Sequence, residues 1–136
     1  MNFEEAKSFK IQSQSLKEIR TFARELFKKS FILKKHTDDL VLALAEAAQN
    51  IIKHGYSNQI TDDEMKIVIK FNNNLLSMEL MDKGKPVVPS NIKPRDLDDI
   101  KTGGLGVFFI GQIMDEVIFK TSKVDWVNHL VLTKAF

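Results

Sequence analysis

The sequence predicts an α+β fold: a two-layer α/β sandwich, with a mixed, mainly antiparallel sheet carrying helices on one face. Three observations predict it. Leu40 to Tyr56 repeats apolar side chains at three-to-four spacing, the signature of a helix with one buried face. Met65 to Asp82 holds two alternating runs around three asparagines, the signature of an antiparallel hairpin. A further helix, Leu105 to about Met114, precedes two strands, Asp115 to Thr121 and Asn128 to Lys134. The 136 residues suffice for one core, so a single domain over 1–136 is expected, with no internal repeat or low-complexity tract.

In chain order, Lys7 to Ser13 alternates weakly and is expected to form the first strand. Ser15-Leu16-Lys17-Glu18 has the spacing of a capping box, with Ser15 as N-cap and Glu18 reaching back. A helix is expected from there to about Ser30, with Leu16, Ile19, Ala23 and Leu26 facing the core. Phe22, Phe27 and Phe31 lie partly off that stripe and either wrap the core edge or face a partner. Phe31 to His36 connects to the central helix. There Thr37 or Asp38 can accept from the first free amides, and Gly55 suits a left-handed C-terminal position.

Ser57 to Glu64 reads as a polar loop. Met65, Ile67, Ile69 and Phe71 share one strand face, and Lys66, Val68 and Lys70 the other. Asn72-Asn73-Asn74 is a tight turn, because asparagine tolerates positive φ. On the return strand Leu76, Met78 and Leu80 point inward, and the same alternation turns Asp82 inward. A carboxylate there needs a partner, since an unpaired buried charge is costly. Gly84 lets the backbone turn sharply or approach a ligand closely. Lys83 to Thr102 is aperiodic and contains Pro86, Pro89 and Pro94. A loop of that length is either a binding loop or a solvated connector, its lysines and arginine offset by Asp96, Asp98 and Asp99.

Composition narrows the function. Hydrophobic residues are 43% and charged residues 28%, as in a soluble globular protein. A net charge of +2 is too balanced to argue for nucleic acid or an acidic membrane. The absence of cysteine excludes disulfides, thiolate metal sites and cysteine nucleophiles. MNFEEAKSFK has no apolar signal core, and no apolar run reaches membrane-spanning length, so a cytoplasmic protein is expected. The three histidines are scattered; His54 lies one turn beyond Asn50, but no second ligand is spaced to help it hold a metal.

On the central helix, at about 100° per residue, Glu46, Asn50 and Lys53 form a narrow polar stripe with Gln49 beside it and Leu42 intruding. Two readings compete. The stripe is the wet side of an amphipathic helix, or its carboxylate and amide face a site. In the second reading the amide can ligate a hard cation and the carboxylate can orient or deprotonate a hydroxyl. Thr102-Gly103-Gly104-Leu105-Gly106 opens the later helix, and amides at a helix start favour phosphate. No Gly-Lys-Ser/Thr follows, and Val107, Phe108 and Phe109 exclude the dinucleotide fingerprint. By itself the turn reads equally well as a flexible helix start.

The order of these features is more specific than any one. A helix bearing Glu46 and Asn50, a strand ending Asp82-Lys83-Gly84, a basic loop and Gly103-Gly104-Leu105-Gly106 together resemble the GHKL nucleotide-binding superfamily, the Bergerat ATP-binding fold. More closely, the chain resembles the anti-sigma factor serine kinases of bacterial partner switching, of the RsbW and SpoIIAB type. The telling strings are EAAQNIIKHGY from Glu46 and GGLGVFFIGQIMDEV from Gly103, and the likeness spans nearly the whole chain.

The resemblance implies that Asn50 ligates the Mg²⁺ bridging the ATP phosphates and that Glu46 is the base of phosphotransfer. It implies that Asp82 accepts from the adenine amino group and that Gly84 lets the base lie close. Thr102, Gly103, Gly104, Leu105 and Gly106 would hold the phosphates, Lys53 would join the nucleotide site, and Lys85 to Thr102 would be the ATP lid. The implied partners are a sigma factor, a STAS-type anti-anti-sigma antagonist as phosphoacceptor, and a second copy of the chain. Phe22, Phe27 and Phe31 are candidate dimer contacts. Alternatives are an ATP-binding switch without phosphotransfer, a sensor histidine kinase domain, for whose phospho-accepting helix 136 residues leave no room, and an adaptor that binds no nucleotide. Two departures stand out. Pro86 replaces the second glycine of Asp-x-Gly-x-Gly, a glycine that the family members most like this chain often lack, and Val127-Asn128 stands where a glycine is common before the last strand, which is expected to touch the shape of the final turn and not the nucleotide site.

Overall fold

In the computed structural model, which describes residues 2–86, 105–120 and 125–136 (of 105–108 the backbone only), the asparagine hairpin frames the sheet. Strands β2 (Glu64–Asn72) and β3 (Leu75–Asp82) pair across the two-residue turn Asn73-Asn74, whose φ values are 52° and 62°. Those left-handed angles match the right-handed twist of a hairpin. Around it lie β1 (Phe3–Lys10), β4 (Glu116–Lys120) and β5 (Asn128–Ala135), in the order β1-β2-β3-β5-β4. Expected to be mainly antiparallel, the sheet is antiparallel at all four pairings among the described residues.

Register sets Ile67, Leu80 and Leu130 in one row across β2, β3 and β5, and Ile69, Met78 and Leu132 in another. These rows share one buried cluster with α1 (Ser15–Phe27), α3 (Thr37–Asn50) and α4 (Leu105–Ile113), through Ile19, Ala23, Leu40, Leu44, Ala48 and Ile110. The opposite face presents Val68, Glu79, Val131 and Ile118 in one row, and none of these belongs to that cluster. Helices on one face of a sheet are therefore the observed architecture. No helix among the described residues is long and apolar enough to cross a membrane.

Several local expectations are corrected. The first strand is Phe3–Lys10, not Lys7 to Ser13: as an edge strand it buries only Phe9, so its alternation is faint. The capping box does not form. A turn already satisfies the amides of Ser15 and Leu16 through the Gln12 and Ser13 carbonyls, and Ser15 Oγ is buried without a hydrogen bond. The first helix stops at Phe27, and Ser30 instead caps a short helix, α2 (Phe31–Lys34), by accepting from Leu33 N. Neither Thr37 nor Asp38 caps α3. Thr37 Oγ1 turns back and donates to the carbonyls of Leu33 and Lys34 at the end of α2.

The helix beyond Asn50 widens into a π-helical turn, Ile51–Gly55. The extra width shifts the end of the helix along the chain, so Ser57 and Asn58, not Gly55, take the left-handed angles of 52° and 57°. Asn58 N closes the end on the Ile52 carbonyl at 3.0 Å. Of the three candidate contact aromatics, Phe27 is fully buried and Phe22 packs edge-on against Phe9. Phe31 alone is presented, 80% exposed, with Lys35 Nζ 4.7 Å from its ring centre.

Candidate functional site

The end of β3 carries the one fully buried carboxylate among the described residues: Asp82 is 2% exposed. Its inward direction follows from the alternation of Leu76, Met78 and Leu80, and its place in the sheet from pairing with Asn128 of β5. Both hydrogen bonds fall on one oxygen. Oδ1 accepts from Gly84 N at 2.8 Å and from Asn128 Nδ2 at 2.9 Å. Oδ2 makes no hydrogen bond among the described residues. Burial pushes the carboxyl above the usual carboxylate range, the donors Asn128 and Gly84 pull it back, and the charge of Asp63 adds to the rise. The result is a half-satisfied acceptor in a dry place, suited to a ligand N–H.

Gly84 is where backbones meet. A Cβ built there would lie 2.6 Å from the Gly55 carbonyl oxygen and 2.8 Å from Tyr56 Cε2, below any tolerable contact. Lys85 N donates to that same carbonyl at 3.0 Å. Tyr56 Oη donates to Asp63 at 2.9 Å and accepts from Lys83 N at 3.2 Å. Burial, then the bond to Asp63, raises the phenol's pKa, so Tyr56 stays protonated as a donor. An open cleft of about 260 Å³ adjoins this junction, lined by Gly55, Tyr56, Ser57, Gln59, Ile60, Thr61 and Lys85.

Glu46 and Asn50 lie one turn apart on α3, both half-buried, and neither makes a side-chain hydrogen bond or ion pair among the described residues. They are polar groups on a helix whose other side is core. Lys53 is exposed in the π-helical turn, so a stripe drawn at α-helical pitch does not extend to it. The described residues hold no group of three His, Cys, Asp or Glu that could cage a metal. A hard cation at Asn50 would thus complete its shell from water and ligand oxygens, as Mg²⁺ commonly does.

Leu105 and Gly106 are the first residues of α4, which packs against α3 and buries Ile110. Its N-terminus therefore belongs to the helical layer that carries Glu46 and Asn50. Thr102, Gly103 and Gly104 lie outside the described residues, as does the proposed lid apart from Lys85 and Pro86. Asn128, Gly55 and the Tyr56–Asp63 pair are contributors that sequence reasoning missed. The departure at Val127-Asn128, expected to touch only the final turn, bears on the candidate site as well, because Asn128 donates to Asp82 directly.

The model of the histidine kinase-like ATPase domain matches residues 9–134. Serine-protein kinase RsbW of Staphylococcus aureus strains JH9, Newman and JH1 is in each case 31% identical over 99 residues, covering 64% of this chain. The match spans 60% of the length of those relatives.

Proposed function

The chain belongs to the family of histidine kinase-like ATPase domains, and from that premise we propose that it is an ATP-dependent serine/threonine-protein kinase and anti-sigma factor. It binds a sigma factor and phosphorylates a STAS-type antagonist, within one domain over 1–136. One observation carries the nucleotide reading: the buried Asp82 spends one carboxylate oxygen on Gly84 and Asn128 and keeps the other for a ligand donor such as the adenine amino group.

In this reading Gly84 leaves room for the base, and Asn50 supplies an amide oxygen to Mg²⁺, whose role when bound is to neutralise and align the phosphates. Thr102, Gly103, Gly104, Leu105 and Gly106 would hold those phosphates. Lys53, exposed in the π-helical turn, would join the nucleotide site. Glu46 accepts the proton of the acceptor serine as its oxygen bonds the γ-phosphorus and the bond to the ADP oxygen breaks. Proton acceptance of this kind contributes about two to four powers of ten in rate.

The face that meets the protein partners is basic. Residues 15–35 contain seven Lys or Arg and two Asp or Glu, although the whole chain carries only +2. Exposed Phe31 adds an apolar anchor there, and of the three candidate aromatics it is the one presented to a second copy of the chain. The test is incubation with labelled Mg-ATP and candidate antagonists, followed by mapping of phosphoserine. Transfer supports the kinase reading. Tight ATP binding without transfer to any antagonist would leave a binding switch in its place.

A further inference from the structure

We propose that Asn128 is a positioning residue of the nucleotide site: its side-chain amide fixes the orientation of the Asp82 carboxylate and ties the root of the following connector to the sheet. The proposal rests on the nucleotide reading above. Asn128 is the first residue of β5 and is 9% exposed. Its Nδ2 donates to Asp82 Oδ1 and to the Lys85 carbonyl, each at 2.9 Å. One amide group thus spans the last residue of β3 and the third residue beyond it. Val127 N donates to the Asp82 carbonyl at 3.0 Å, which fixes the backbone beneath that amide.

The chemistry requires a double donor. Asp82 Oδ1 already accepts from Gly84 N, and the second donor completes that oxygen. The carboxylate is then held with Oδ2 as the open acceptor. Without the second donor the carboxylate would lose an orienting bond and the ionised form would lose a stabilising one. A hydroxyl at 128 could serve Asp82 but not the Lys85 carbonyl as well. An acid at 128 would set two carboxylates against each other at neutral pH, until one takes up a proton and becomes a donor.

The test is calorimetric titration of ADP into wild type, Asn128→Leu, Asn128→Asp and Asn128→Ser between pH 6 and 8, with thermal melts confirming that each variant is folded. Asn128→Leu should lose about tenfold or more in affinity, the scale of a hydrogen bond to a charged group. Asn128→Ser should recover part of that loss. Asn128→Asp should bind poorly at pH 8 and better at pH 6, whereas wild type should bind no better at pH 6. A merely structural residue would not invert the pH slope. Folded variants that match wild type in affinity and slope would overturn the proposal while leaving the nucleotide reading intact. A folded wild type that binds no ADP would remove that reading and the proposal with it.

Discussion

Replacing Gly84 by alanine tests the closest approach in the site. The added Cβ would stand 2.6 Å from the Gly55 carbonyl oxygen and 2.9 Å from its carbon, and both are backbone atoms that no rotamer change can move. Ordinary contact begins at 3.4 Å, so the two segments must separate by about 0.8 Å. That displacement acts on the hydrogen bond from Lys85 N to the same carbonyl, now 3.0 Å, and on the bond from Gly84 N to Asp82 at 2.8 Å. Overpacking of this kind costs about 1–3 kcal/mol, which for a domain of this size lowers Tm by roughly 3–15 °C. ADP affinity should fall about tenfold or more, because the carboxylate loses its nearer donor. Gly55→Ala is the control. Its Cβ would meet Asp82 Oδ1 at 3.7 Å, Ile51 at 3.9 Å and Gly84 at 4.0 Å, all ordinary contacts, and stability should change by less than about 0.5 kcal/mol. Differential scanning calorimetry with ADP titration reads both variants. A Gly84→Ala protein with wild-type Tm and affinity would refute the argument, and equal losses in both variants would show that the junction is merely intolerant of change.

Asp82→Asn should separate stability from binding. Burial raises the folded-state pKa of Asp82, so its contribution to stability is full below the unfolded carboxylate value, about 3.9, and is lost as pH rises through the folded value. The variant should therefore be no less stable than wild type at pH 8 and show a flatter Tm between pH 4 and 8, yet bind ADP at least tenfold more weakly; a steeper loss of Tm with rising pH would contradict this sign. Glu46→Gln keeps size and hydrogen bonding but not basicity, so ATP affinity should stay within about a few-fold while the phosphotransfer rate falls by about two powers of ten or more in rapid-quench assays. Asn50→Ala should weaken ATP binding in the presence of Mg²⁺ and change it little in EDTA, by calorimetry under both conditions. Phe27→Ala should cost about 3–5 kcal/mol in denaturant unfolding, because the side chain is fully buried, whereas Phe31→Ala should leave stability within about 0.5 kcal/mol and weaken capture of the protein partner.

The legible parts of the fold are those that local periodicity decides. Alternation from Met65 to Leu80 placed every inward residue of the hairpin, and it carried Asp82 inward with them. It could not name the partner of Asp82, because alternation fixes the face of a strand and not its register against another strand. Asn128 lies 46 residues away and meets Asp82 only through the β3–β5 pairing. The caps were misplaced for a related reason. Ser15, Thr37 and Gly55 each have suitable side chains or flexibility, but a preceding turn, a preceding short helix and a π-helical turn had already redirected the backbone groups concerned.

The two departures from the family pattern, far apart along the chain, are joined through the Lys85 carbonyl. Pro86 restricts the residue before it to extended backbone, which limits the directions open to the Lys85 carbonyl. That carbonyl is the second acceptor of the Asn128 amide. A glycine at 86 would leave Lys85 free of this restriction, and a residue without a side-chain donor at 128 would leave the carbonyl without that bond. Proline at 86 and asparagine at 128 are thus complementary. One presets the acceptor, the other supplies the donor, and Asp82 is oriented by the same amide. A double-mutant cycle on Pro86→Gly and Asn128→Ser should show this as a coupling of at least about 0.5 kcal/mol in ADP binding, and strictly additive losses would show that the two positions act separately.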